Sequence, residues 1–293
     1  MRPTQWVKNV VVLVPAFFAA WDRTQQIDGT SFGARMGTTL LAALAFCLAS
    51  SGIYVLNDLC DLAQDRLHPR KRLRPLAAGR LAIAPARWLT LLLLLGGLGL
   101  GWLAQPRFAA VLAVYLVLQF MYSFGLKKIG LLDVFMIAFG FVLRAIGGAA
   151  AAQVIISSWL LICTFLLALF LALCKRRHEK TSFAAAGNDQ RVALAHYSLP
   201  TLDHYISISA TATVICYTIY TLAPETVAKF GTRALGFTVP FVIFGVFRYI
   251  DLVYRQAEGE RPEKVLLTDR TMIVTVLLYT LAALAAFIWG QSQ

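Results

Sequence analysis

Long apolar stretches alternate with short charged segments along the whole chain. A helix needs about 20 apolar residues to cross a bilayer, and lipid offers no hydrogen-bond partner to an open backbone. Nine stretches with few charges meet this requirement, at residues 6–21, 36–56, 84–104, 107–126, 131–150, 156–174, 202–222, 233–250 and 271–290. We therefore expect an all-α polytopic membrane protein. It should form one domain over residues 1–293, a bundle of about nine transmembrane helices of which the first and the eighth are short.

The composition agrees with a membrane protein. Of the residues, 59% are hydrophobic and 14% are charged, and the mean hydropathy is +0.68. A soluble domain carries about 25% charged residues, so this composition excludes soluble enzymes, disordered chains and secreted disulfide scaffolds. The five cysteines are odd in number and include no C-x-x-C pair, and we expect neither a disulfide framework nor a zinc site.

The chain has a formal net charge of +12, and its basic residues are concentrated after the even-numbered spans. These bases are Arg66, Arg70, Lys71, Arg72, Arg74, Arg80, Lys127, Lys128, Lys175, Arg176, Arg177, Lys180, Arg191, Arg255, Arg261, Lys264 and Arg270. Cytoplasmic loops carry an excess of Lys and Arg, so the N-terminus is predicted in the cytoplasm and the C-terminus on the opposite side. Bases in short loops favour anionic lipid and phosphate-bearing substrates over nucleic acid.

Three carboxylates follow the second span. Asp58, Asp61 and Asp65 stand at i, i+3 and i+7, and on a continuing helix they share one face. Mg²⁺ relieves the repulsion among such carboxylates, and it takes further ligands from water and substrate phosphates. The pattern thus predicts a diphosphate site. The alternative is a solvated helix end that the following arginines neutralise, and the basic run itself is consistent with either anion binding or topology marking.

The same segment resembles a known family signature. The pattern N-D-x-x-D-x-x-x-D-R-x-H-P over 57–69, followed by K-R-x-R-P-L-A-A-G over 71–79, is similar to the first signature of the UbiA superfamily of intramembrane prenyltransferases. The resemblance implies a UbiA-like bundle of nine transmembrane helices. It also implies Mg²⁺ and a diphosphate in a cavity that opens on the cytoplasmic face. Asp58, Asp61 and Asp65 would then be metal ligands and catalytic residues, with Asn57 and Arg66 completing that pole.

The chain departs from that family at the end of the sixth span. Typical members carry a second aspartate cluster there, whereas this chain has the basic segment 175–180. Together with the opening segment 2–9 and with Tyr122-Ser123, Lys127-Lys128, Asp133 and Arg144, this departure resembles the decaprenyl-phosphate phosphoribosyltransferase branch. That resemblance implies transfer of 5-phosphoribose from phosphoribosyl pyrophosphate (PRPP) to a polyprenyl phosphate. The product would supply precursor for cell-envelope arabinose-type polymers.

Several anionic groups must be held close together in such a reaction, and Arg and Lys clamps suit that task. The candidate substrate-binding residues are Lys8, Asn57, Arg66, Lys71, Arg74, Tyr122, Lys127, Lys128, Asp133, Arg144, Lys175, Arg176 and Glu179. Arg144 lies within a span, where a charge is costly, so we expect it to face a cavity rather than to form an ion pair with another helix. Glu179 either orients Lys175 or pairs with it on a solvated face.

Two other functions compete with this prediction. A UbiA-type prenyltransferase with an isoprenyl diphosphate donor and an aromatic acceptor needs the second acidic cluster, and the basic segment 175–180 argues against it. An anion transporter would also carry charges within the membrane and bases on the cytoplasmic side. It would not need the contiguous acidic signature, and the presence of that signature argues against a transporter. The expected partners are PRPP, the polyprenyl phosphate, membrane lipids and a second copy of the chain, with no nucleic acid.

Overall fold

The structure is a computed structural model that describes residues 3–22, 24, 32–67, 71–186, 197–255 and 268–292. This part of the chain is helical and contains no β-strand. Some residues used above lie outside it: Arg2 of the opening segment, His68 and Pro69 of the signature, and the loop bases Arg70, Arg191, Arg261 and Lys264.

The chain begins with a 3₁₀ helix, Pro3–Leu13, which leads directly into α1, Val14–Ala19. The remaining α-helices are α2 (Phe32–Cys60), α3 (Leu62–Leu67), α4 (Ile83–Ala104), α5 (Pro106–Phe124), α6 (Leu132–Ala152), α7 (Ser158–Ala186), α8 (Leu199–Leu222), α9 (Pro224–Phe230), α10 (Val239–Arg255) and α11 (Arg270–Gln291). Short 3₁₀ turns lie at Lys71–Leu73, Leu126–Lys128 and Ala234–Thr238.

Eight of the described helices are long and apolar enough to cross a membrane, which confirms the predicted fold class. The first predicted span differs, because Gln5–Ala19 is shorter and is largely a 3₁₀ helix. The eighth span is not short: with its 3₁₀ turn it runs over Ala234–Arg255. Arg248 and Arg255 both pair with Asp251, at i+3 and i+4, and these pairs support helix beyond the apolar stretch.

The helices form two compact units. The first contains Met1–Phe17, Gly29–Lys127 and Leu143–Ile155. In it, Gly97 of α4 lets the backbone of α2 approach at Ala45 and Ala49. Phe46 and Phe108 are fully buried, with ring centroids 5.5 Å apart.

The opening 3₁₀ helix has three residues per turn, so every third side chain lies on one side. Trp6, Asn9 and Val12 form that row. Trp6 donates to Ser51, and Val12 is fully buried. Gly148 meets the Val12 carbonyl so closely that a Cβ at this position would collide with it.

The second unit contains Phe18–Asp28, Lys128–Val142 and Ile156–Gln293. Helix α7 packs on α8, and α10 packs on α11. The core of this unit includes the buried residues Phe170, Leu202, Ile206 and Leu252. A separate aromatic cluster joins Phe18, Trp21, Phe230 and Phe287.

Candidate active site

The acidic segment of the first unit continues its helical path past the end of α2. The amide of Asp61 donates to the Asn57 carbonyl at 2.9 Å, and the amide of Asp65 donates to the Asp61 carbonyl at 2.8 Å. These i→i+4 bonds carry the helix across Cys60, as the carboxylate spacing predicts. Asp58 and Asp65 consequently lie close enough to share a partner.

That shared partner is Arg74. Its Nη1 lies 3.0 Å from Asp58 Oδ1 and 2.5 Å from Asp65 Oδ2. Lys71 Nζ is 3.7 Å from the other oxygen of Asp65, and Lys127 Nζ is 2.6 Å from Asp61 Oδ1. The side chain of Asp65 is only 3% exposed, whereas those of Asp58 and Asp61 are 18% and 25% exposed, so the last acid of the row is buried among its basic partners.

A turn over 71–80 brings the bases back to the acids. The amide of Arg74 donates to the Lys71 carbonyl, and the amide of Ala78 donates to the Arg74 carbonyl. Gly79 has φ +74°, a left-handed conformation that glycine adopts without strain. Arg80 then donates to the Leu73 carbonyl at 2.8 Å and closes the turn.

The donor set of this segment fits Mg²⁺. Within the described ranges, no three His, Cys, Asp or Glu side chains are arranged around one point for a metal ion. Asn57 Oδ1, however, is buried and has no hydrogen-bond partner among the described residues. Amide and carboxylate oxygens are the hard ligands that Mg²⁺ prefers, so the chemical types of these side chains fit the ion.

Arg144 is held in the interior of the first unit. Its Nε donates to Asn9 Oδ1 at 2.9 Å, and its Nη2 donates to the Tyr115 hydroxyl at 2.8 Å. Its guanidinium lies 4.9 Å from the Tyr115 ring centroid and 5.9 Å from that of Phe46. These partners are the protein's own groups, and a role of Arg144 in substrate binding stays a prediction.

The second unit carries another polar cluster, at the start of α6 and the end of α7. Arg176 Nε donates to Asp133 Oδ2 at 2.6 Å, and its Nη1 donates to Glu179 Oε2 at 2.5 Å. Glu179 was expected beside Lys175 at i+4. It contacts Arg176 at i+3, so that one guanidinium bridges two acids, and its contact with Lys175 stays a prediction.

Tyr197 completes this cluster and was missed by the sequence analysis. Its hydroxyl donates to Asp133 Oδ1 at 2.9 Å and accepts the Leu131 amide at 2.5 Å, while Lys180 Nζ donates to its backbone carbonyl. Burial raises the pKa of Tyr197, which therefore remains a neutral phenol. The sequence held only a weak signal for the position of Tyr197. Ser198 caps α8 by accepting the Thr201 amide, so Tyr197 lies just before the start of the helix.

The predicted site residues thus fall into two groups, one in each unit. The first unit holds Lys8, Asn57, Asp58, Asp61, Asp65, Arg66, Lys71, Arg74, Tyr122, Lys127 and Arg144, and the second holds Lys128, Asp133, Lys175, Arg176 and Glu179. Arg66 and Lys128 are exposed, whereas Lys8, Tyr122 and Lys175 are half-buried. In the first unit, ion pairs join the three carboxylates to three bases: Asp58, Asp61 and Asp65 to Lys71, Arg74 and Lys127. In the second unit, ion pairs join Arg176 to Asp133 and Glu179.

Comparison with known proteins decides the family. Residues 11–269 match the UbiA prenyltransferase family. The chain belongs to that family. A UbiA homolog from Archaeoglobus fulgidus, solved with DMAPP and Mg²⁺, has a TM-score of 0.69 to this chain at 16% identity, and the match covers 98% of this chain and 96% of that one. This likeness shows that the UbiA fold is shared, and with the apolar helices it marks an integral membrane protein.

Two UbiA relatives are much more similar in sequence. The decaprenyl-phosphate phosphoribosyltransferase of Mycolicibacterium smegmatis is 33% identical over an alignment of 290 positions, which covers 95% of this chain and 88% of that protein. The enzyme of the same name from Mycobacterium tuberculosis is 34% identical over 99% of this chain and 93% of its own length.

Proposed function

We propose that this protein is an integral-membrane transferase that moves 5-phosphoribose from PRPP to a polyprenyl phosphate, decaprenyl phosphate in the relatives' names. The observation that carries the proposal is identity of about one third over nearly the whole chain to enzymes named for that reaction. The products are polyprenylphosphoryl-5-phosphoribose and pyrophosphate. The product lipid would supply precursor for arabinose-type polymers of the cell envelope.

The polar end of α7 also supports a phosphoribosyl donor. A prenyltransferase with an isoprenyl diphosphate donor needs a second acidic cluster after the sixth span. The segment here is Lys175-Arg176-Arg177-His178-Glu179-Lys180, and its one acid, Glu179, is already bound to Arg176. A cationic segment binds phosphate directly, without a second metal ion. The isoprenyl diphosphate alternative is accordingly not favoured.

In the proposed reaction, the bond from ribose C1 to the pyrophosphate oxygen breaks and an oxygen of the lipid phosphate bonds to C1. Asn57, Asp58, Asp61 and Asp65 would hold Mg²⁺, which when bound acts as a Lewis acid toward the leaving pyrophosphate. Lys71, Arg74 and Lys127 are within reach of these acids and would contact phosphate oxygens. The lipid phosphate is already an anion at neutral pH, so the reaction needs no general base to activate it.

The orientation forms part of the proposal. The basic segments after the second, fourth, sixth and eighth spans favour a cytoplasmic position for the N-terminus and the acidic segment. From that side a water-soluble donor would enter, while the lipid acceptor would arrive through the membrane. Attachment of a periplasmic-side label to a cysteine introduced at Arg72 would contradict this orientation.

The test uses the purified full chain in lipid nanodiscs with Mg²⁺, PRPP and decaprenyl phosphate, and it follows pyrophosphate release. Turnover should need both substrates and Mg²⁺, and it should fall at least about a hundredfold in Asp58→Asn. The matched control is Asp251→Asn, which removes the same charge from an ion pair of α10 outside the site. Turnover of an isoprenyl diphosphate with an aromatic acceptor, and none of PRPP, would contradict the proposal.

A further inference from the structure

Consecutive arginines of α7 each bind a carboxylate that also accepts a hydrogen bond from a tyrosine. Arg176 and Tyr197 meet at Asp133, with distances of 2.6 and 2.9 Å. Arg177 and Tyr254 meet at Asp203, with both distances 2.6 Å. The two triads have the same composition and begin at neighbouring residues, so each is a natural control for the other.

The triads differ in burial. The side chains of Arg176 and Asp133 are 5% and 1% exposed, whereas those of Arg177 and Asp203 are 16% and 36% exposed. A buried charge that loses a hydrogen-bond partner keeps the full penalty of its desolvation, while an exposed one is re-solvated by water. Only the buried triad therefore depends on its tyrosine hydroxyl to fix the direction of the arginine. Arg177 also lies over the Tyr254 ring, 3.6 Å from its centroid, a contact that a phenylalanine would keep.

Tyr197 also contacts a strained turn. Leu131 has φ +62°, the left-handed region that disfavours a leucine, and its amide donates to the Tyr197 hydroxyl at 2.5 Å. Asp133 follows two residues later, in the first turn of α6. A residue keeps such a conformation only when its surroundings hold it there, and strain of this kind is concentrated at functional sites.

We propose that Tyr197 is a positioning residue of the transfer reaction, which acts through Asp133 to orient Arg176 in the basic segment that binds substrate phosphate. The hydroxyl occupies Oδ1 of Asp133 and leaves Oδ2 to Arg176 Nε. The guanidinium is thereby fixed with Nη1 on Glu179. This inference rests on the proposed function, because it assigns Arg176 to phosphate binding.

The first test is Tyr197→Phe in the full chain, with Tyr254→Phe as the matched control. Loss of a hydrogen bond to a charged group corresponds to about a tenfold effect or more. We expect Tyr197→Phe to raise the KM of one phosphate-bearing substrate about tenfold and to change kcat less than about threefold. Tyr254→Phe should leave both constants near those of the unaltered protein. An unaltered KM in Tyr197→Phe would overturn the inference.

The second test asks whether the effect passes through Arg176. Arg176→Gln should raise the KM of the same substrate. In that background, adding Tyr197→Phe should raise the KM by less than about twofold, because the group that the tyrosine orients is gone. Multiplication of the two single effects in the double variant would mean that the residues act independently, and it would overturn the proposal.

A third variant separates positioning from folding. Tyr197→Phe removes the acceptor of the Leu131 amide and should lower the melting temperature. Glycine adopts φ +62° without strain, so adding Leu131→Gly to this variant should restore the melting temperature. It cannot replace the hydrogen bond to Asp133, so the KM of the double variant should remain raised. Recovery of the KM together with the melting temperature would show that Tyr197 only holds the turn. Failure of the proposed function would appear differently, as absence of PRPP turnover in the unaltered protein.

Discussion

Arg74 forms an ion pair with Asp65 across nine residues of sequence, with Nη1 2.5 Å from Oδ2. The same nitrogen lies 3.0 Å from Asp58 Oδ1. One guanidinium thus neutralises two of the three carboxylates that the family resemblance assigns to Mg²⁺. A metal ion held by these carboxylates would therefore compete with Arg74 for the same oxygens, and a phosphate-bearing ligand would be a new partner for the displaced arginine.

The first prediction concerns Arg74→Gln. Asp65 is buried, so loss of its partner should lower the free energy of unfolding by about 2 kcal/mol, a value reduced because Arg74 itself is partly exposed. Mg²⁺ should raise the melting temperature of this variant more than that of the unaltered protein, because the ion replaces the missing cation. The measurement is thermal unfolding in nanodiscs with and without Mg²⁺.

Arg80→Gln provides the control for Arg74. Arg80 belongs to the same turn, but its side chain is exposed and donates to the Leu73 carbonyl rather than to an acid. Its removal should leave the Mg²⁺-dependent shift unaltered. Equal shifts in both variants would argue against competition between Arg74 and the metal ion.

The second prediction concerns the row of side chains on the opening 3₁₀ helix. Asn9→Ala removes the acceptor of Arg144 Nε and leaves a buried guanidinium nitrogen without that bond. We expect the free energy of unfolding to fall by about 2 kcal/mol. Val10→Ala, whose side chain is 55% exposed on another row, should change it by less than about 0.5 kcal/mol. Chemical unfolding of the three proteins in the same detergent checks the difference.

Local periodicity predicted much of the fold. The second span and its acids are an example. The run of hydrophobic residues predicts the helix, and the i→i+4 hydrogen bonds continue past Cys60, so the carboxylates at i, i+3 and i+7 lie on one face of it. The first span was harder, because its structure follows a period of three. Trp6, Asn9 and Val12 stand three apart on one side of that 3₁₀ helix, a row that the apolar stretch 6–21 did not distinguish from an α-helix.

The contacts of the candidate site could not be predicted in the same way. Arg74 reaches Asp65 through a turn closed by Gly79, and no periodic pattern specifies the direction of that turn. Tyr197 meets Asp133 across 64 residues of sequence, where only tertiary packing decides the partner. Sequence identified Arg176 as a basic residue of interest, but its two acidic partners became apparent only from the geometry.

A third prediction compares two glycines within membrane-spanning helices of the first unit. Gly148→Ala should strongly destabilise the protein, because the new methyl group would collide with the Val12 backbone carbonyl, which cannot rotate away. Gly96→Ala should be neutral or should stabilise by up to about 1 kcal/mol, because alanine favours helix. In the described part of the chain, a Cβ built on Gly96 meets no atom within 4 Å apart from its chain neighbours and the backbone of its own helix. Unfolding of both variants tests the close approach, and similar effects would contradict it.

The fourth prediction is a pH dependence at the start of α11. Hydrogen bonds from Arg248, at 3.2 and 2.7 Å, hold the pKa of Asp269 below its usual range, and the Met272 amide adds a further bond as Asp269 caps the helix. Because the folded pKa is lower than the unfolded one, the stabilisation is complete above the unfolded value of about 3.9. It is lost as the pH falls through the folded pKa.

Asp269→Asn removes this titration but keeps a side chain that can cap a helix. The variant should melt below the unaltered protein at pH 7, because the charge pair with Arg248 is gone. The difference between the two melting temperatures should shrink as the pH is lowered below about 4, where the carboxylate of the unaltered protein becomes protonated. Asp251→Asn, at the more exposed acid that Arg248 also contacts, should show a smaller difference at pH 7. A difference for Asp269→Asn that stays constant down to low pH would show that the carboxylate charge contributes nothing at this helix start.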